Sequence, residues 1–175
     1  MSVLQGGSMR MTQRGLSLLE LLISLALVSL LASLALPSFQ RIAEQARLRA
    51  AGNMLYHHLQ QARSEAIKRN TAITLCFSDS GTLNWQYKIV ELAHVSHCDG
   101  LVLNNIQQAS SIEFPNLILT ANYPSPYLIF KPRRVSLLAG NITLTQGEHQ
   151  LEVLTWNNGL IRLCSASAMA GVTPC

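Results

Sequence analysis

Gln13-Arg14-Gly15-Leu16-Ser17-Leu18-Leu19-Glu20, continuing through Leu21-Leu22-Ile23-Ser24 to Leu36-Pro37, is the stretch whose reading decides how this chain is built. From Leu16 to Leu36 the only charge is Glu20. At about 1.5 Å per residue, a helix over residues 16–36 is roughly 30 Å long, the thickness of a bilayer's hydrocarbon core. Arg10 and Arg14 precede it, and a basic flank places the amino end in the cytoplasm and the following domain on the opposite side. A secretory signal peptide is the competing reading, since it also begins with basic residues ahead of an apolar run. This run is longer than a normal signal core. No small-x-small cleavage site clearly closes it, although Ala32, Ser33 and Ala35 before Pro37 keep that alternative open.

Glu20 is the odd residue. A carboxylate costs on the order of 2.5 to 3.5 kcal/mol at the bilayer centre, less near the edge, so an ionisable group inside a span is a functional candidate. In a simple anchor it would be a lone polar substitution. With its neighbours it resembles something more specific: residues 13–20 are similar to the cleavage and methylation motif of type IV prepilins. The resemblance implies cleavage after Gly15 by a prepilin peptidase and methylation of the new terminal amine on Leu16. Counted from Leu16, Glu20 falls at the fifth mature position, where family members carry glutamate. Pro37 falls at the twenty-second, a common site of a pilin helix kink. Leu16 departs from the phenylalanine with which most pilins begin. In a filament, the Glu20 carboxylate would neutralise the terminal amine of a neighbouring subunit, removing both desolvation penalties together.

After Pro37 the apolar residues keep helical spacing. Leu48, Ala51, Leu55, Leu59, Ala62 and Ala66 step by three or four, with Arg49, Asn53, His57, Gln60, Ser64 and Lys68 on the opposing face. This predicts an amphipathic stalk over residues 37–69, interrupted only by Gly52. Arg41, Arg47, Arg49, Arg63, Lys68 and Arg69 give it a basic tone, read as a solvated face with Arg41 near lipid headgroups. His57 and His58 point in different directions around a helix and read as surface or packing residues.

From residue 71 onward short apolar or alternating runs are separated by Asn, Gly, Pro and Ser. Candidate strands cover 71–77, 86–92, 116–120, 127–130, 141–145, 150–156 and 160–164. Asn157-Asn158-Gly159 predicts a hairpin between the last two. The expected fold class is α+β and type IV pilin-like: a leader at 1–15, a membrane helix at 16–36, a stalk at 37–69 and an antiparallel β head at 70–175.

The composition agrees with an anchored domain. The chain is 49% hydrophobic and 13% charged, against roughly 25% charged in ordinary globular proteins. A net charge of +4 and a pI near 9.1 permit anionic partners without requiring them. Cys76, Cys98, Cys164 and Cys175 all lie beyond the apolar segment, where an even number of cysteines reads as two disulfides. Three pairings are open. The local ones, Cys76 with Cys98 and Cys164 with Cys175, are preferred because each closes a loop between adjacent segments. If Ile161 and Leu163 point inward, Arg162 is exposed and the last bridge folds the tail over the outer surface, where the tail would otherwise fray.

The chain has no P-loop, HExxH, nucleophile elbow or dinucleotide-binding glycine pattern, so neither an enzyme nor a cofactor is expected. His94, His97 and Cys98, with Cys76 upstream, fit structural zinc spacings poorly, so no metal is expected.

Beyond the amino end, the chain resembles the GspH/FimT class of minor pilins and pseudopilins. Asn70-Thr71-Ala72-Ile73-Thr74-Leu75-Cys76 is similar to that class's first strand, and Gly159-Leu160-Ile161-Arg162-Leu163-Cys164 is similar to the end of its FimT branch. The resemblance implies a non-catalytic filament subunit of a type IV pilus or a type II secretion pseudopilus. It would sit in the bacterial inner membrane with its head in the periplasm, and its partners would be a prepilin peptidase and other pilin or pseudopilin subunits. The alternative is a head that binds double-stranded DNA during natural transformation. FimT-like proteins carry a Gly-Arg-x-Arg motif here. Gly159 and Arg162 match it, but Leu160 replaces the first arginine. Lys131, Arg133 and Arg134 could supply phosphate contacts instead, or the loop that carries them is a solvated turn.

Overall fold

Ser17 opens the first element as its cap. Its carbonyl accepts the first intrahelical bond, from the Leu21 amide at 3.1 Å, and its hydroxyl oxygen accepts from the Leu19 amide at 3.3 Å, filling one of the donors that a helix start leaves empty. Helix α1 then runs Leu18–Arg69. The computed structural model describes residues 17–91, 98, 105–133, 137–167 and 169–175, apart from the side chains of residues 34, 35 and 37. The chain divides into two compact units, residues 1–40 and 41–175.

In the first unit every side chain from Ser17 to Ser33 is exposed, Leu18 at 78% and Leu31 at 67%. No soluble domain gains from presenting so much hydrocarbon to water, whereas a helix of this length in a bilayer does. The hydroxyls of Ser24, Ser29 and Ser33 donate to carbonyls three residues back at 2.9, 2.8 and 2.7 Å. They therefore need no partner outside the helix.

The second unit is the head, and the later half of α1 is one wall of its core. Leu48, Ala51, Leu55, Leu59, Ala62 and Ala66, the stripe read from periodicity, are all buried to 2% exposure or less. Gly52 lies within that helix because of what faces it: a Cβ there would stand 2.9 Å from Leu151 Cδ1 and 3.3 Å from Leu163 Cδ1. The missing side chain lets backbone approach sheet closely. Asn70, at φ 53°, ends the helix in the left-handed region.

Eight strands follow: β1 Ile73–Ser78, β2 Gln86–Glu91, β3 Asn105–Ser110, β4 Ile118–Asn122, β5 Tyr127–Phe130, β6 Gly140–Gln146, β7 His149–Thr155 and β8 Ile161–Ser165. They form two antiparallel sheets, one in the order β3-β2-β1-β5 and one in the order β4-β6-β7-β8. Ile73, Leu75, Tyr87, Ile89 and Leu128 of the first sheet join Ile142, Leu144, Leu151 and Val153 of the second in a single core with α1.

The seven expected strands are present with ends shifted by at most two residues, and β3 is an addition. Asn105-Ile106-Gln107-Gln108-Ala109-Ser110 carries only two apolar side chains, because it is an edge strand with a register shift against β2 at Ile89 and Val90. Sheet pairing rather than alternation makes it a strand.

Around the last strand, Ile161 is 5% exposed and Arg162 is exposed. The tail returns alongside β8: the Ser165 amide donates to Thr173 O at 2.9 Å, and the Cys175 amide to Ser165 O at 3.2 Å. Cys164 bonds Cys175 beneath this cover and is fully buried. Cys76, on β1, bonds Cys98.

Two contacts fasten α1 to the first sheet. Arg69 donates to Glu65 and to Glu91, and Thr71 also donates to Glu91, at 2.9 Å. Further back, His58 Nδ1 and the buried Tyr87 hydroxyl are 2.9 Å apart. Burial holds the His58 imidazole below its ordinary pKa, with Glu113 opposing the shift and His57 adding to it. A histidine with a lowered folded value is protonated first in the unfolded chain. Its contribution to stability is therefore complete above the ordinary histidine pKa of about 6.5, and is lost as pH falls from there through the folded value. Urea denaturation at pH 7.5 and pH 5.5 should give the lower midpoint at pH 5.5. His58→Gln should narrow the gap, and an unchanged gap in that variant would assign the loss to other groups.

Candidate functional site

Two regions carry the chemistry expected of this chain: the start of α1 and the ends of the head. At the helix start, Ser17-Leu18-Leu19-Glu20 has the spacing of a capping box, with Glu20 an exposed acid in the first turn. An acid there is favoured by the helix dipole. Glu20 thus has a local role in addition to the intermolecular one expected of it, and Ser17 is a contributor the motif reading passed over. Its signal was present, since serine three residues ahead of glutamate before an apolar run marks a helix start. Gly15 and Leu16 lie outside the described residues. Helix α1 continues across Pro37, whose side chain is likewise outside them.

On the head, Lys131 and Arg133 are exposed just after β5, and Arg134 lies outside the described residues. Phe130, the last residue of β5, pairs with Ile73, the first of β1. Lys131 therefore stands at the end of the first sheet where α1 terminates. Arg162 is elsewhere, on β8 of the second sheet, and its guanidinium donates to Pro174 O at 3.0 Å. Leu160 beside it is 53% exposed. Gly159, at φ 77°, closes the hairpin turn with its amide on Trp156 O at 2.8 Å. Its own carbonyl accepts from Arg63 at 2.8 Å. The expected basic residues thus divide between two sheets, and one of them is held by the tail.

Cys76 and Cys98 are bonded to each other, which takes both sulfurs out of the imagined zinc set; His94 and His97 lie outside the described residues. Among the described residues, no three His, Cys, Asp or Glu side chains are grouped to hold a metal ion.

A capped, uncovered apolar helix leading into a two-sheet head that packs on its second half is what the comparisons match. A family model described as type II transport protein GspH matches residues 51–168, most of the chain. This chain belongs to the GspH family. A second model, the prokaryotic N-terminal methylation motif, matches residues 10–36. The type IV minor pilin FimU of Pseudomonas aeruginosa is similar in structure, with a TM-score of 0.57 at 20% identity over 74% of this chain and 96% of that one. The minor pseudopilin EpsH from the Type 2 Secretion System of Vibrio cholerae gives a TM-score of 0.51 at 16% identity over 70% of this chain and 99% of that one. At these identities the two structures establish the shared pilin-like fold. No curated protein sequence matches.

Proposed function

We propose that this GspH-family chain is a minor pilin or pseudopilin, a non-catalytic subunit of a type IV pilus or a type II secretion pseudopilus. In this reading it is cleaved after Gly15 by a prepilin peptidase and methylated at Leu16. Residues 16–36 hold it in the bacterial inner membrane with the head in the periplasm, and Glu20 and Pro37 serve the assembled helix bundle. The observation that carries this is the methylation motif over residues 10–36, in register with a helix capped at Ser17 whose apolar side chains from Leu18 to Leu31 are exposed.

Assembly rather than DNA capture is the role these observations support. Arg162 is engaged by the tail, and Leu160 presents an isobutyl group where the DNA-binding motif has arginine.

The test is processing and export of the tagged full chain in cells. The chain should appear shortened by its leader and should enter the filament fraction sheared from the cell surface, or the pseudopilus fraction when the secretion system is overexpressed. Gly15→Val, which sets a branched side chain at the scissile bond, should leave the full-length precursor in the membrane and reduce entry at least tenfold. Normal cleavage of that variant would overturn the assigned leader, and absence of the unaltered chain from both fractions would overturn the subunit reading.

A further inference from the structure

Strands β3 and β5 are the edges of the first sheet, and β4 and β8 those of the second. An unpaired edge invites another chain unless something blunts it. At β8 the chain's own tail does so, with the Ser165 amide on Thr173 O. The turn after β1 closes on β4: the Gly81 amide donates to Leu119 O at 2.7 Å and the Ala121 amide to Ser80 Oγ at 2.8 Å. Strand β3 is largely polar and breaks register at Ile89 and Val90. Among the described residues, β5 has no such cover on its outer side, and Lys131, the charge that could guard it, stands past its last residue.

The register shows which of its backbone groups are open. The Phe77 amide donates to Pro126 O at 2.9 Å, and hydrogen-bonded pairs alternate along an antiparallel ladder. Leu128 and Phe130, opposite Leu75 and Ile73, therefore turn their backbone groups to β1, whereas Tyr127 and Ile129 turn theirs to the free edge. Those same two residues line a groove of about 300 Å³ with Ser125, Lys131, Leu137 and Leu138. Leu138 is 42% exposed. No carboxylate is among these lining residues, and neither Lys131 nor the exposed Arg133 beyond it forms an ion pair among the described residues.

We propose that β5 takes up an extended segment of a different protein as an added strand, with an apolar side chain packed over Ile129 and a carboxylate at Lys131. Backbone pairing supplies affinity in this mode, and the pockets for alternate side chains supply selection. The unpaired cation fixes the sign of the charge the segment must carry. A second copy of this chain has no such segment to offer among the described residues, because its tail is already bonded to β8 and closed by the Cys164–Cys175 bridge. Recognition of a foreign chain goes beyond the subunit reading and does not depend on it.

The test holds the full chain in phosphatidylcholine nanodiscs, where no filament is needed, and follows the anisotropy of a fluorescein-labelled heptapeptide, Thr-Glu-Thr-Val-Thr-Val-Thr. In antiparallel register its glutamate lies opposite Lys131 and its valines opposite Ile129 and Tyr127. Saturable binding is expected. N-methylation of both valine amides removes the donors that face β5 and should weaken binding at least about tenfold. Methylation of the threonine amides between and after the valines, which face away, should change it by less than about twofold. A lysine in place of the peptide's glutamate should weaken binding about fivefold, and Lys131→Glu should make the lysine peptide the tighter of the two. Absence of saturable binding, equal loss from either set of methylations, or indifference to the charge exchange would each overturn the proposal. None of these results would alter leader cleavage or entry into the filament fraction, on which the subunit assignment is tested.

Discussion

Glu20→Leu should leave the chain inserted, cleaved and folded in its head, yet reduce its recovery in assembled filaments by about 100-fold to several thousand-fold. The magnitude follows from leaving one buried charge without its partner, which costs about 3 to 5 kcal/mol. In a single subunit the substitution is favourable for the membrane, because it removes a carboxylate whose transfer into hydrocarbon is costly. Export and insertion should therefore be undiminished while assembly fails. That opposition is the signature of a residue kept for a contact between chains.

The structure supplies a second explanation for Glu20 that a leucine substitution alone would not separate. Ser17 caps α1 and Glu20 occupies the first turn, so its loss also weakens a helix start by roughly 0.3 to 1 kcal/mol. Glu20→Gln separates the two roles, because an amide can still complete a capping box but carries no charge. If neutralising a neighbour's amine is what matters, the glutamine chain should be recovered nearly as poorly as the leucine chain. Recovery close to normal with glutamine would reduce Glu20 to a capping residue. The measurement is the ratio of filament-bound to membrane-bound chain on immunoblots, with cleavage of the leader as the internal control.

What the sequence disclosed about this fold follows the range of the forces involved. The anchor and the stripe from Leu48 to Ala66 were legible because both are local: an uninterrupted apolar run, then a spacing of three and four that only a helix turns into a face. The Asn157-Asn158-Gly159 turn was legible for the same reason, with Gly159 at positive φ. Strand β3 was not, because Gln107 and Gln108 belong to a strand only through their pairing with β2, a non-local bond that leaves no periodic trace. Gly52 read as an interruption of the helix and proved to face the sheet, where a Cβ would stand 2.9 Å from Leu151 Cδ1. At the candidate site, the methylation motif is a short contiguous signal, and a family model matches it over residues 10–36. Lys131, Arg133 and Arg162 are exposed, but only the fold separates the first two from the third.

Trp85 shows how much of the head's stability depends on one such non-local arrangement. It precedes β2 as a lone aromatic between Asn84 and Gln86, and its indole is 1% exposed. The ring stacks on Tyr87 with centroids 6.1 Å apart and planes 9° from parallel. Its Nε1–H donates at 2.7 Å to the carbonyl of Leu117, which leads into the second sheet. One side chain therefore fills core volume and satisfies a buried acceptor across the junction between the sheets. Trp85→Ala should lose about 3 to 5 kcal/mol from the cavity and about 1 to 3 kcal/mol more from the stranded carbonyl. Set against a total of roughly 5 to 15 kcal/mol for a domain, that is enough to leave the head largely unfolded and open to protease at 37 °C. Trp85→Phe keeps most of the ring and removes the donor, so its cost should be confined to the carbonyl and a smaller cavity. Urea midpoints should fall in the order native, Phe, Ala, with the larger step at alanine. If phenylalanine proved as damaging as alanine, the hydrogen bond to Leu117 rather than the packed ring would be what joins the two sheets at this point.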